Sequence, residues 1–404
     1  MQEIEPRDKQ HPILSVIIPT RNRFKYVTST VKSILDLPDP DFELIVEDNS
    51  DNDEVEIWIR ENIDDSRLSY AHTTDSVSMS ENYDRGTIRS TGEYLAFIGD
   101  DDGVLPDIVA ATRWAKKNGY DAILPTTPGR YTWPDTRYRY YGGSLAGTLA
   151  IAPFTGAVSY PDPQEQMTRC ARSGGQDFAD LPKIYYGIVR RDCLDQVRAK
   201  AGAYFPGPSP DLAGAMAVAN YVKTLCKVDY PLFLPGTSGG SNAGLGAMKK
   251  HVGRLEDQKH LSKECVDKWS VLVPRFYSGN TIWGEDVVQA LRAIERDDVL
   301  SEFNVPLLHA MCMVFNPGHA SMVMSSLYGA LRSSRRNYIL GTVQFGYGCC
   351  YTWALRFQSL FRRLTKSSGS GKLIILRDIG NIEQAVRSMV RVIAERGRSF
   401  DPDA

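Results

Sequence analysis

Five apolar runs in the first third of the chain set its architecture. "ILSVIIP" (13–19), "FELIVED" (42–48), "RLSYAHT" (67–73), "EYLAFI" (93–98) and "YDAILP" (120–125) have the length and the β-branched or aromatic content of strands. Helical patterns separate them. Val27, Val31, Ile34 and Leu35 recur at helical spacing, and "DEVEIWIREN" follows the second run. Ser78 and Glu81 form a capping-box pair, while Pro106 and Gly119 bracket the helix before the fifth run. Continuous apolar strands alternating with helices predict a mostly parallel sheet covered on both faces.

Beyond residue 125 the pattern loosens. "TTPGRYTWPDTRYRYYGGS" reads as an irregular loop or hairpin, Pro210 opens a clear helix, and "GTSGGSNAGLGAMKK" is rich in glycine. From about 255 onward the reading is mainly helical, with amphipathic stretches near 283–298, 352–366 and 380–396.

In parallel sheets, ligands sit beyond the carboxyl ends of the strands. That rule places Pro19-Thr20-Arg21-Asn22, Glu47-Asp48-Asn49-Ser50 and Asp100-Asp101-Asp102 along one edge. Asp and Asn also favour turns and helix caps, which is the plainer reading of the second cluster. Three adjacent carboxylates are different, because they repel one another and add nothing to a core. A hard divalent cation, Mg²⁺ or Mn²⁺, held by one or two of them and by substrate phosphates would resolve that repulsion.

Composition narrows the classes. With 404 residues, 42% hydrophobic and 24% charged, the chain has the profile of a soluble globular protein of about two structural units. A net charge of −2 argues against nucleic acid as a partner. The balance is uneven: residues 331–404 carry +8, from 13 Lys or Arg against 5 Asp or Glu, and the rest carries −10. Such a tail is either a solvated helical face or a surface for an anionic partner. Seven scattered cysteines form neither a zinc nor a disulfide framework, which fits a reducing cytoplasm. No apolar run reaches the roughly 18 residues of a spanning helix, and the polar "MQEIEPRDKQHP" is no secretory leader.

Taken together and in order, "SVIIPTRNR", "LIVEDNSDND" and "STGEYLAFIGDDDGVLPD" resemble the nucleotide-sugar glycosyltransferases of family two, which have the GT-A fold. The resemblance covers 13–125 well and "PSPDLAG" and "GTSGGSNAG" more loosely. It implies a GT-A type α/β fold: a mostly parallel sheet flanked by helices, followed by a mainly helical C-terminal region. The corresponding units are a tail (1–12), a catalytic domain (13–250) with a nucleotide half (13–125) and an acceptor half (126–250), and a helical region (251–404).

The resemblance also implies an inverting transfer from a nucleotide diphosphate sugar donor to a saccharide or lipid-linked saccharide acceptor. The cofactor would be Mg²⁺ or Mn²⁺, and the setting bacterial surface polysaccharide assembly. By position, Pro19, Thr20, Arg21, Asp48, Asn49, Asn82 and Asp100 would meet the donor, with Ser50 beside them. Asp101 and Asp102 would meet the metal. Many relatives have an aspartate where this chain has Gly99, which leaves open which carboxylate binds the cation. His251, in the glycine-rich loop, would approach the metal or the diphosphate unless it is simply a structural histidine. Asp211, at the start of the Pro210 helix, is the expected general base, the alternative being that it only charges the helix N-terminus. Asp286 and Asp177 stand behind it.

A nucleotidyltransferase and a non-catalytic sugar-nucleotide binder are the competing readings. The first usually has a glycine-rich loop after its first strand, where this chain has "PTRNRFKY". In "YTWALRFQSLFRRLTK", Trp353, Phe357, Leu360, Phe361 and Leu364 share a helical face near Arg356, Arg362, Arg363 and Lys366. That stripe either packs on the catalytic domain or lies on an anionic membrane as a peripheral contact.

Overall fold

The computed structural model describes residues 11–75, 77–138, 142–241, 252–258, 260–333, 337–365 and 373–401, with the backbone alone for 359–365. The five expected strands and their helices form in order, with an unexpected two-residue β5 before α4: β1 (Leu14–Thr20), α1 (Phe24–Leu35), β2 (Phe42–Asp48), α2 (Glu54–Asn62), β3 (Leu68–His72), α3 (Met79–Arg89), β4 (Tyr94–Phe97), β5 (Gly103–Val104), α4 (Ile108–Asn118) and β6 (Ala122–Thr126). Ser78 closes its capping box with Glu81, and Gly119 ends α4 in the left-handed conformation.

The acceptor half adds β7 (Gly129–Thr132), β8 (Thr148–Ile151), β9 (Val158–Ser159), α5 (Pro163–Arg172), β10 (Ile188–Arg190), α6 (Arg191–Ala201), α7 (Pro210–Ala219), β11 (Leu225–Pro231), β12 (Phe233–Leu234) and β13 (Gly236–Thr237). The main sheet has the order β3-β2-β1-β4-β10-β6-β11-β9. Its β3-β2-β1-β4 half is parallel, β6 pairs with β11 in parallel, and the three-residue β10 runs antiparallel between β4 and β6. This is a GT-A type arrangement, and its β9, β10 and β11 are strands that the apolar runs do not announce.

Strand periodicity splits the core. Leu14, Val16 and Ile18 of β1 face a cluster with α1, α2 and α4, whereas Ile17 faces one with α3, α5, α6 and α7. Helices at Gly279–Ala293 and Val305–Phe315 extend the second cluster. The chain then returns to the first. A strand at Ile374–Leu376 pairs with β8, and the helix Ile382–Glu395 lies against α1 and β5. Its packing is tight: a Cβ on Gly129 would come within 2.6 Å of Met389 Sδ. The last described helix therefore completes the core of the nucleotide half instead of belonging to a separate helical unit.

Candidate active site

At the end of β4 the chain turns through Gly99-Asp100-Asp101-Asp102, and each carboxylate has its own surroundings. Asp102 faces the protein. Its oxygens accept from the amides of Gly99 (2.7 Å) and Gly236 (2.7 Å) and from the Tyr185 hydroxyl (2.8 Å). Burial and the neighbouring Asp101 nonetheless push its carboxyl upward. Asp100 accepts from Thr20 Oγ1 at 2.6 Å, and Asp101 accepts from Ser238 Oγ at 2.5 Å. Between these two lies the Arg23 guanidinium, with Nε 2.6 Å from Asp100 and Nη2 2.9 Å from Asp101. The cation that the triple aspartate demands is thus supplied, in this state, by Arg23.

The backbone of the turn is pinned as well. Thr30 Oγ1 donates to the carbonyls of Asp100 and Asp102, and Trp133 Nε1 to that of Asp101. Gly99 packs closely under two side-chain ends. A Cβ would come within 2.8 Å of Tyr185 Oη and 2.9 Å of Asp102 Oδ2, so a larger residue here would require those side-chain ends to shift.

A crevice of about 550 Å³ opens beside the turn. Such a volume suits a small-molecule ligand. Of the expected residues, it brings together Pro19, Thr20, Arg21, Asn49, Asn82, Asp100, Asp101 and Asp211. Asn49 donates to the carbonyls of Thr73 and Asp75, and Asn82 to that of Glu47. Their buried Oδ1 atoms have no hydrogen-bond partner among the described residues. An unsatisfied buried acceptor on a crevice-lining residue calls for a donor such as a water or a ligand group.

The crevice does not include Asp48, Ser50 or Asp102. Asp48 instead accepts from the Ser50 amide and the Tyr70 hydroxyl, tying the end of β2 to β3. His251 lies outside the described residues.

Asp211 sits in the first turn of α7, open to the crevice but crowded by protein on its other sides. That desolvation pushes its carboxyl up to about 6, against the pull of Lys183. Asp286, on the helix Gly279–Ala293, is wholly buried and accepts from the Ser209 amide at 2.7 Å. Ser209 is the cap residue immediately before Pro210-Asp211. Burial drives the Asp286 carboxyl well above its usual range. Asp177 forms a surface pair with Arg169 at 2.7 Å, away from the crevice.

Sequence reasoning passed over Arg23, Tyr185, Tyr186 and His260, all of which line the crevice. Arg23 stands inside the quoted "PTRNR" motif. Tyr186 holds a left-handed φ of 56°, rare for an aromatic residue and visible only in three dimensions.

A family model, Glycosyl transferase family 2, matches residues 15–167. Those residues are a family 2 glycosyl transferase segment. The segment carries the β4 turn and both asparagines but ends within α5, before Asp211. Over 115 residues the chain is 30% identical to GalNAc(5)-diNAcBac-PP-undecaprenol beta-1,3-glucosyltransferase of Campylobacter jejuni, covering 28% of this chain and 37% of that protein. It is also 30% identical over 89 residues to an uncharacterized glycosyltransferase of Rickettsia bellii, covering 22% of this chain and 13% of that one. The chain thus spans well under half the length of these curated relatives. Among solved structures, S. aureus TarS 1–349 in complex with UDP-GlcNAc is similar at a TM-score of 0.47 and 14% identity, covering 91% of this chain and 97% of that one.

Proposed function

We propose that the chain transfers a sugar from a nucleotide diphosphate donor to an acceptor hydroxyl with inversion. The observation that carries this reading is the shared crevice. Paired carboxylates at a strand end, two unsatisfied asparagine acceptors and a carboxyl poised near pH 6 line one cavity within and beside a family 2 segment.

In the reaction, the acceptor oxygen bonds to the anomeric carbon while the bond to the diphosphate oxygen breaks. Asp211 takes the acceptor proton, and the electron pair leaves on the diphosphate. Raising Asp211 toward about 6 makes it a better base while keeping it mostly ionised at neutral pH. Asp286 holds the turn that presents it.

The described residues contain no group of three metal-ligating side chains. The site still fits Mg²⁺ or Mn²⁺, because Asp101 Oδ1 takes no hydrogen bond from the described residues and Asp100 lies beside it. Such ions commonly use one or two carboxylates, substrate phosphates and water. Asp101, with Asp100, would hold the cation, which would neutralise the departing diphosphate.

The Campylobacter relative is, by its name, a glucosyltransferase acting on an undecaprenol-linked saccharide. We extend to this chain a saccharide or lipid-linked saccharide acceptor, a role in surface polysaccharide assembly and a cytoplasmic location.

The test is a panel of uridine, guanosine and cytidine diphosphate sugars, with and without Mn²⁺. Metal-stimulated release of nucleoside diphosphate supports the reading. Release of pyrophosphate from a nucleoside triphosphate and a sugar phosphate would make the protein a nucleotidyltransferase, and binding without turnover would make it a non-catalytic binder.

A further inference from the structure

The helix Tyr338–Thr365 has 28 residues, about 42 Å at 1.5 Å per residue. One face docks on the helices Val305–Phe315 and Ala320–Ser333. Glycines make the approach close. A Cβ on Gly341 would come within 2.6 Å of Leu331, and one on Gly348 within 2.9 Å of Ala310.

The opposite face is apolar and uncovered. Ile339, Val343, Tyr347 and Phe357 are 78%, 64%, 74% and 64% exposed, and they recur at spacings of four, four and ten residues along one side of the helix. Trp353 and Tyr351 flank this line and are also exposed. The stripe seen in the sequence therefore does not pack on the catalytic domain over the residues whose side chains are described. Large contiguous apolar surface of this kind marks an interaction site.

Charge decides between occupants. From Phe303 to Arg377 the sequence contains no aspartate or glutamate and nine lysines or arginines. A second copy presenting the same stretch would set cations against cations, whereas anionic headgroups complement them. Arg356 shows how the boundary is built. Its guanidinium lies 5.2 Å from the Trp353 ring and 5.9 Å from the Phe315 ring, at the edge of the apolar face. Among the described residues no helix is long and apolar enough to cross a membrane. An amphipathic helix with an aromatic face and basic flanks lies in the interfacial plane.

We propose that the outer face of the helix Tyr338–Thr365 docks on a membrane leaflet containing anionic phospholipid. This inference rests on the helix alone and stands whether or not the crevice transfers a sugar.

The experiment is co-sedimentation of the full chain with vesicles of phosphatidylglycerol and phosphatidylcholine, compared with phosphatidylcholine alone, at low and high salt. Binding is expected to the anionic vesicles and to weaken at high salt. The double substitution Tyr347→Glu with Phe357→Glu should lower affinity at least tenfold while leaving the circular dichroism spectrum and melting temperature unchanged, because both side chains are exposed. A second variant, Arg356→Gln with Arg362→Gln and Arg363→Gln, should remove most of the salt dependence. Absence of binding to anionic vesicles, or undiminished binding by the glutamate variant, overturns the proposal. So does a concentration-dependent dimer, seen by sedimentation velocity, that the glutamate variant abolishes while wild type ignores the vesicles.

Discussion

Arg23 Nε lies 2.6 Å from Asp100 Oδ1, which makes a side chain at the start of α1 the counter-charge of the β4 turn. The same guanidinium reaches Asp101. Removing one partner of a buried ion pair typically costs about 3–5 kcal/mol because the other charge is left uncompensated. Arg23→Ala should therefore lower the metal-free melting temperature markedly. It should also raise Mn²⁺ affinity severalfold, since two bare carboxylates attract a divalent cation more strongly than a neutralised pair does. Calorimetric titration and melting curves with and without Mn²⁺ check both. Unchanged or weaker Mn²⁺ binding would show that Arg23 and the cation do not share these carboxylates.

In the proposed mechanism Asp286 supports the base, Asp211, by holding the Ser209 amide. Its Oδ1 accepts from Ser209, and an asparagine can do the same. Asp286→Asn should keep near-normal turnover, while Asp286→Ala should lower kcat and spare nucleotide binding. If Asp286→Asn loses activity as fully as a base deletion, about 10²–10⁴-fold, Asp286 takes over the role given to Asp211.

The pH profile follows from Asp211. A base must be deprotonated, and its carboxyl sits at about 6. The rate should fall about tenfold per pH unit below that value and level off above it. An Asp211→Asn variant should lose this acid limb along with most of its rate. An acid limb near pH 4 in the wild type would place the base elsewhere.

Glu285 gives a stability prediction independent of catalysis. It is buried, accepts from the Ser270 amide and Gln289, and has its carboxyl pushed up to about 7 by burial. The folded state therefore binds this proton more tightly than the unfolded state. Its contribution is most favourable below the ordinary carboxylate range and is lost as pH rises to about 7. Glu285→Gln should gain stability relative to wild type at pH 8, on the order of 2 kcal/mol, and lose that advantage at pH 4. Urea denaturation at the two pH values measures it. A difference that does not depend on pH would mean that Glu285 ionises freely in the fold.

The sequence shows the strands of the nucleotide half because continuous apolar runs such as 13–19 need neither partner nor register to be recognised. It also brings Thr20, Asn49, Asp100 and Asp101 to one edge, since strand ends in a parallel sheet share a direction, whereas Asn82, inside α3, is implied only by the family resemblance. What it hides is pairing across distance. Arg23 and Asp100 are 77 positions apart, and nothing in "PTRNR" says which side chain turns inward. Asp100 and Asp102 look alike in sequence, yet one faces the crevice and the other is consumed by two backbone amides and a tyrosine. β10 is too short, at three residues, for periodicity to reveal it. The amphipathic stripe of 380–396 was legible, but its docking on α1 was not, because a stripe does not name its partner.

The central claim is that Asp101 serves the donor and Asp211 serves the acceptor. One comparison tests it: titration of nucleoside diphosphate plus Mn²⁺ into wild type, Asp101→Asn and Asp211→Asn, set beside the rate of nucleoside diphosphate release from the sugar donor. Asp211→Asn should bind nucleotide like wild type while release falls on the order of 10²–10⁴-fold. Asp101→Asn should lose nucleotide binding and release together. Near wild-type release by Asp211→Asn, or loss of its nucleotide binding, would contradict the assignment.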